Sequence, residues 1–476
     1  MQNQFQMMRG LAGEFFGDDE KLVSVKGSTD LASCMENMLE NTEAAGNPVL
    51  YAQTLAIVRH AASLTSNDIS PEAQKPLLRL AQKYDRRVFG SGMVDAAAVL
   101  GPRPLGDRRA RIVATMDPKA TPSKVREMLL AGMNVARYNP AHATPAELKA
   151  TMAMVRGEAA KLGKDVAIQI DLAGPKIRLG LFANPDKKEL NDIFLKAGES
   201  VKITNADVLG NDKLFPIGFD GLKDVKPGER VFMNDGMVEL LVKSVGKDKK
   251  GNAVLDVEVK KGGKVWDKKG VNLPDTDLKA DAVTPEDLNV LGELLFHVDT
   301  VALSFVRGPE DVLKVREEMM LLGKVVPIIA KIERPEAMTN LSKIAVVADA
   351  LMVARGDLGV EIGMENVPNA EREIARIGKR LGKPVMVATE VLKSMAKGSS
   401  RPTRGDVEGL YSAISGQGVD AIMLGKETSF LDHPGEVIAA CSRVIEMAEE
   451  QLTMRNTKDD LDKPRAGSLM DVRLSR

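Results

Sequence analysis

After residue 107, short apolar or β-branched runs alternate with amphipathic helical stretches to the end of the chain. Eight such pairs occur. One interval of roughly a hundred residues breaks the rhythm with strictly alternating strands, far longer than an ordinary βα loop. These two observations predict an α/β fold: a (β/α)8 TIM barrel with an inserted β-rich lid domain and an N-terminal helical segment. Continuous apolar strands, each followed by a helix, imply a parallel sheet covered on its faces. Eight units over this length fit a closed barrel better than an open sheet.

The elements follow in order. Residues 1–106 read as a helical extension, with helical spacing over 31–45 and 49–64 and a Ser-Pro start at 70–84. GPRPLGD (101–107) is a Pro/Gly boundary. Barrel strands are expected at 111–116, 134–139, 166–172, 300–306, 326–333, 350–356, 384–390 and 421–425. TPEDLNVLGELLF (284–296) supplies the third helix. The barrel thus occupies 107–181 and 276–452, the lid 182–275, and a polar tail 453–476. In the lid, SVKITNADVL, ERVFMNDGMVELLVKSV and AVLDVEVKKGG alternate as half-buried strands, separated by Asn-Asp-Gly and Lys/Gly turns.

Composition limits the function classes. The 476 residues carry a net charge of −1 and 44% hydrophobic content, so no basic field exists to hold nucleic acid. Aromatics are 4%, with Trp266 the single tryptophan, which argues against base stacking. Cys34 and Cys441 form neither a disulfide framework nor a metal cluster. The N-terminus lacks a signal-peptide core, and no apolar run reaches the ~20 residues of a membrane span. A soluble, cytoplasmic protein without membrane partners is expected.

Barrels of this kind build sites at the C-terminal ends of their strands, and polar residues fall there. Strand one ends near Thr115, strand two carries Arg137 and Asn139, and strand three ends at Asp171. Strand four leads to Ser304 and Arg307, strand five carries Lys331 and Glu333, and strand six runs into a charged, glycine-rich turn at Asp357. Strand seven ends at Thr389 and Glu390, strand eight at Lys426-Glu427-Thr428. Lys331 and Glu333, two apart on a strand, share a face, with Ile329 deeper on the same side. A mutual salt bridge closing the core is the plain alternative. Asp357 on the next strand adds a second carboxylate, and hard oxygens with room for water suit Mg²⁺ or Mn²⁺. A metal with Lys331 and Arg137 would trap a phosphorylated or enolic anion. Basic residues flank the lid: Lys176 and Arg178 before it, Lys264, Lys268 and Lys269 after it. They could grip a polyphosphate when the lid closes, or be ordinary surface lysines. Asp235 in the Asn-Asp-Gly hairpin is consistent with turn chemistry alone. No Walker-type phosphate loop is present.

The chain resembles the pyruvate kinase family over about 107–450, through GMNVARYNPAH, DLAGPKIRLG, KKGVNLP and the run IIAKIERPEAM…LMVARGDLGVEI…KPVMVATEVLKSM…RPTRGDV…AIMLGKET. The resemblance implies phosphoryl transfer from phosphoenolpyruvate to ADP, giving pyruvate and ATP. It places Arg137 on the phosphoryl group, Lys331 on the transferring phosphoryl and enolate, and Glu333 and Asp357 on the divalent metal. Thr389 would hold the substrate carboxylate and assist protonation, with Gly356 and Asp357 also at substrate-binding positions. Asn139, His142, Arg178 and Lys269 fall at nucleotide-contact positions, and Asp235 at the lid residue that folds over the site. Thr115 and Pro118 match the first-strand turn. A homo-oligomer, dimer or tetramer, is implied.

The chain also departs from the family pattern. Ala141 and Leu172 replace two oxygen ligands of the potassium site, and Lys176 stands where a glutamate is usual. This predicts a K⁺-independent enzyme in which Lys176 replaces the monovalent ion. Ala173 removes a lysine, Gly425-Lys426 removes a serine and adds a cation, and Glu390 replaces a glutamine beside Thr389. Pro140 is also unusual. The usual C-terminal effector domain is expected to be absent. These departures leave two alternatives: a lid-bearing relative acting on another phosphorylated or enolisable acid, and a non-catalytic ligand-binding regulatory protein.

Overall fold

The computed structural model describes residues 96–462, apart from 103, 105–107, 184–191, 277, 279–280 and 430, together with positions 36 and 79. The helices expected at 31–45, 49–64 and 70–84 therefore lie outside the described residues, save Glu36 and Arg79, both helical.

Eight parallel strands close the barrel. They are β1 (Arg111–Thr115), β2 (Val135–Tyr138), β3 (Ala167–Leu172), β12 (Thr300–Leu303), β13 (Ile328–Ile332), β14 (Ala350–Ala354), β15 (Val385–Ala388) and β16 (Ala421–Leu424). Each pairs with its sequence neighbours, and β1 meets β16 in the register Arg111↔Ala421. The helices between them repeat one device. A Thr-Pro pair opens α2 (Pro122–Ala131), α3 (Pro145–Lys161) and α4 (Pro285–Leu294), with the threonine hydroxyl accepting a backbone N–H three residues on. Glu147 and Asp287 return the bond and complete capping boxes.

The strand period of two divides the core. Ile328, Ala330 and Ile332 face the outer layer shared with helices such as α5 (Pro309–Leu321) and α9 (Val367–Leu381). Ile329 faces inward with Val113, Ala302, Met352, Met386 and Met423. The same interior cluster takes Val99 and Leu100 from the short helix α1 (Ala96–Leu100), each 1% exposed. The segment before the expected boundary at 101–107 thus plugs the barrel. Gly101 follows with φ +78, so close to the strands that a Cβ would lie 2.7 Å from that of Ala167.

Between β3 and α4 the lid forms a six-stranded sheet in the order β11 (Val271–Asn272), β7 (Arg230–Met233), β8 (Val238–Lys247), β9 (Ala253–Lys261), β5 (Ser200–Thr204), β6 (Leu214–Pro216), with β4 (Ile193–Leu195) and β10 (Gly263–Val265) paired separately. Its long hairpin joins β8 (Val238–Lys247) to β9 (Ala253–Lys261), and it encloses its own apolar core. The lid's connection back to the barrel runs through β11 (Val271–Asn272), which pairs with β7 (Arg230–Met233).

Two local expectations change. Residues 355–359, expected as a charged, glycine-rich turn, instead open the helix α8 (Arg355–Ile362). Gly356 and Gly359 suggest a turn, yet Gly359 packs so closely that a Cβ there would sit 2.2 Å from Met364 Sδ; close approach is what excludes a side chain. The last helix, α13 (Pro434–Asp462), runs ten residues beyond the expected start of the tail. After Gly435 no Gly or Pro occurs before Pro464. Among the described residues, no helix is long and apolar enough to cross a membrane.

Leu100→Ala should leave a void inside the barrel and lower unfolding free energy by about 2–5 kcal/mol, read from the denaturant midpoint. An unchanged midpoint would show that α1 does not contribute to the barrel's stability.

Candidate active site

Lys331 sits near the end of β13 with its side chain inside the barrel mouth. Its ammonium donates to Ser304 Oγ at 2.8 Å and pairs with Glu333 Oε1 at 2.9 Å and Asp171 Oδ2 at 3.6 Å. Burial pulls the lysine pKa down, but Glu333 and Asp171 outweigh this and raise it above the ordinary value. Asp171, at the end of β3, also accepts from Arg137 Nη2 at 2.7 Å and Gln169 Nε2 at 2.9 Å. Burial pushes its pKa up; Arg137 and Lys331 reverse this and hold it below the usual carboxylate value. Arg137 reaches sideways to Thr115 Oγ1 at 3.0 Å, and Thr115 donates to Leu424 O. One polar chain therefore crosses the ends of β1, β2, β3, β12 and β13.

Glu333 is wholly buried; its second oxygen accepts the Phe305 N–H at 2.7 Å. Asp357, in the first turn of α8, pairs with Lys176 Nζ at 2.9 Å. Burial raises its pKa, but the Lys176 charge and hydrogen bond, with Lys331 adding, bring it below the ordinary value. Lys331 thus touches one carboxylate and acts electrostatically on the other. Both residues already offer an oxygen to a cation, so hard, charged donors are available for a divalent ion. Among the described residues no third His, Cys, Asp or Glu joins them in a metal-binding group, so a bound ion would draw its other ligands from water and substrate.

Backbone strain marks the same rim. Phe305, Thr389 and Glu390 have φ of +55, +64 and +54, which non-glycine residues rarely adopt. The bend at Phe305 aims its N–H at Glu333. Thr389 Oγ1 accepts the Gly356 N–H at 3.3 Å, joining the ends of β14 and β15. Glu390 pairs with Lys393, which offsets its charge. Glu427 receives the Gly425 N–H at 2.7 Å, and Thr428 donates to Thr115 O at 3.0 Å. A Cβ on Gly425 would lie 3.6 Å from the Thr389 methyl.

The lid brings its cations to this mouth. Lys269 lies 4.0 Å from the Trp266 ring centroid. Its pKa is lowered, first by burial and then by Lys426, Arg178 and Lys176, against the opposing pull of Asp235. Residues from the outgoing hinge, the return segment, the hairpin tip and strand eight therefore share one electrostatic neighbourhood. Arg178 donates to Lys268 O at 3.2 Å. Asp235 is exposed at φ +55, facing Gly270.

Other expected residues stand apart or serve locally. Lys264 pairs with Asp192 on the lid. Arg307 donates to Leu278 O and pairs loosely with Asp311 at 3.8 Å, so it braces the lid's return segment. Pro118 O accepts from Thr151. Asn139 caps a short turn by accepting the Ala141 N–H at 3.1 Å; the side chain of His142 lies outside the described residues. Lys176 meets Asp357 and stands 5.9 Å from the Phe305 ring, while Asp171 is occupied by Arg137 and Lys331. Sequence reasoning assigned no role to Asn272, Arg334 and Glu361, which form a buried cluster beside the site. Only their nearness to KKGVNLP, Glu333 and Asp357 could have drawn notice.

Residues 107–438 match the family model described as pyruvate kinase, barrel domain. A pyruvate kinase of Thermotoga maritima is 38% identical over 353 residues, covering 74% of this chain and 73% of its own. One from Corynebacterium glutamicum is 41% identical over 346 residues, covering 72% and 70%, and one from Mycobacterium tuberculosis is 40% identical over 349, covering 73% and 71%. A barrel whose strand ends gather Arg137, Lys331, Glu333 and Asp357 beneath a cation-bearing lid, and whose sequence matches these relatives across most of its length, belongs to the pyruvate kinase family of phosphotransferases.

Proposed function

We propose that this chain transfers the phosphoryl group of phosphoenolpyruvate to ADP in a Mg²⁺-dependent, K⁺-independent reaction in the cytoplasm. The observation that carries this reading is the convergence of Lys331, Arg137, Glu333 and Asp357 on one barrel mouth. Glu333 and Asp357 would hold Mg²⁺ or Mn²⁺, which would supply Lewis-acid neutralisation of phosphoryl and enolate oxygens. Arg137, fixed by Asp171 and Thr115, orients the phosphoryl group. Lys331 places a fixed positive charge where negative charge develops, with no reorganisation at the moment of reaction. The Gly356 N–H and the Thr389 hydroxyl, joined at 3.3 Å, would receive the substrate carboxylate. Thr389 is positioned to assist protonation of the enolate. Asn139, His142, Arg178 and Lys269 would receive the nucleotide, with Asp235 folding over it. Lid closure would keep water from the phosphoryl group. Lys176, on Asp357, supplies a fixed cation at the mouth, which supports activity without K⁺. One feature favours a second reading, an altered phosphorylated or enolisable acid: Gly425 lies against the Thr389 methyl, and Lys426, next in sequence, adds a cation that acts on Lys269.

A coupled assay should give turnover with phosphoenolpyruvate, ADP and Mg²⁺, unchanged by added K⁺. No turnover under any cation condition overturns the proposal, and preference for another acid in a substrate panel favours the second reading. Lys331→Ala should lower kcat/KM by about 10²–10³-fold. Asp171→Asn tests the electrostatics. Asp171 raises the Lys331 pKa, so its loss lets that pKa fall. Lys331 then loses its proton at lower pH, and the alkaline limb of the pH–rate profile moves to lower pH. An unmoved limb would show that Lys331 ionisation does not set it.

A further inference from the structure

The helix α8 touches the lid at three separate places. Asp357, Val360 and Glu361 stand at i, i+3 and i+4, so they share one face. Asp357 takes Lys176 from the outgoing hinge at 2.9 Å. Val360 lies under the hairpin tip, where a Cβ on Gly236 would meet its Cγ2 at 3.3 Å. Glu361, 4% exposed, accepts Asn272 Nδ2 from the return strand β11 at 2.8 Å. Its other oxygen pairs with Arg334 Nη1 at 3.1 Å. Arg334 also grips Glu336 at 2.9 and 3.2 Å.

The strand carrying Asn272 ties the lid's parts together. Val271 N donates to Ile177 O of the outgoing hinge at 2.9 Å, and Asn234 N to Gly270 O at 3.1 Å. Beside the cluster lies a cavity of about 30 Å³ lined by Lys176, Phe305, Arg307, Asn272, Arg334 and Glu361, room for a water or two. A firm polar contact next to slack packing is the form of a pivot. A buried charge pair is in itself weak evidence for stability, because desolvation offsets much of the attraction. This pair occupies two informative positions: Arg334 adjoins Glu333 in sequence, and Glu361 lies one turn after Asp357. Asp357 is thus mounted on a helix that the lid also grips, and Glu333 adjoins the arginine that holds Glu361 in place.

We propose that Glu361 is a positioning residue: with Asn272 and Arg334 it forms the pivot of the lid, and α8 links the lid's placement to that of the Asp357 carboxylate. The inference rests on the reading of Glu333 and Asp357 as metal-holding groups. It makes metal affinity depend on residues that touch no metal, no nucleotide and no substrate.

The test uses the full chain with Asn272→Ala, Glu361→Gln and Val360→Ala. Mn²⁺ binding is followed by electron paramagnetic resonance on the enzyme alone. ADP binding is followed through Trp266, the single tryptophan, which sits in the lid. Steady-state phosphoryl transfer and thermal unfolding complete the set. Asn272→Ala should weaken Mn²⁺ binding several-fold and lower kcat by roughly ten- to a hundredfold, as a displaced catalytic group does, with KM for phosphoenolpyruvate little changed. Glu361→Gln retains an acceptor for Asn272 and should fall between wild type and Asn272→Ala. Val360→Ala, at a half-buried position, keeps the test open should the polar variants not fold; it should weaken Mn²⁺ binding in the same direction. Folded variants with wild-type Mn²⁺ affinity and kcat overturn the proposal. So does a lowered melting temperature with unaltered Mn²⁺ affinity, which marks a structural role alone. Absence of turnover in the wild type would refute the proposed reaction, while the Mn²⁺ and Trp266 readouts would still decide the pivot.

Discussion

The architecture of the site depends on a buried ammonium. Lys331 projects from β13 into the barrel, where a charge cannot stay without partners. Asp171 and Glu333 compensate it, and Ser304 takes a further hydrogen. That requirement propagates. Asp171 carries surplus acceptor capacity, which Arg137 and Gln169 fill. Arg137 then has a free arm, which Thr115 receives. The strand ends are tied together by successive pairing of polar groups, although the buried Arg137 Nε is left without a hydrogen-bond partner.

The lid packs separately from the mouth. The lid has its own core and meets the barrel through two hinge segments and a hairpin tip. Its cations crowd together near Lys269, where burial first and then mutual repulsion make a proton harder to hold. Such crowding is costly without an anion, and it suits a polyphosphate that would arrive between lid and barrel. The strained residues Phe305, Thr389 and Glu390 lie on the fixed side of that boundary. Their conformations turn an N–H toward Glu333 and a hydroxyl toward Gly356, so the strain is coupled to side-chain aim.

Much of this was legible in the chain. The eight strands could be read because each is a short apolar run ending in a polar residue, and three of the helices open on a Thr-Pro pair. Ile329 below Lys331 followed from the strand period alone. The departures came where local signals conflicted with packing. Two glycines in 355–362 suggested a turn, but the helix forms because Met364 and Val367 press against Gly359. The final helix outran its apolar face because nothing in its polar continuation breaks a helix.

By itself the sequence determined the barrel, its insertion and the set of charged residues at the strand ends, because alternation of apolar runs and the chemistry of buried charge are local properties. The tertiary structure alone decided which partners those charges take. Lys176 lies on Asp357 and Arg137 on Asp171, and Asn272 meets Glu361 from 89 positions away. Such pairings depend on how the lid returns to the barrel, and no spacing along the chain encodes that return.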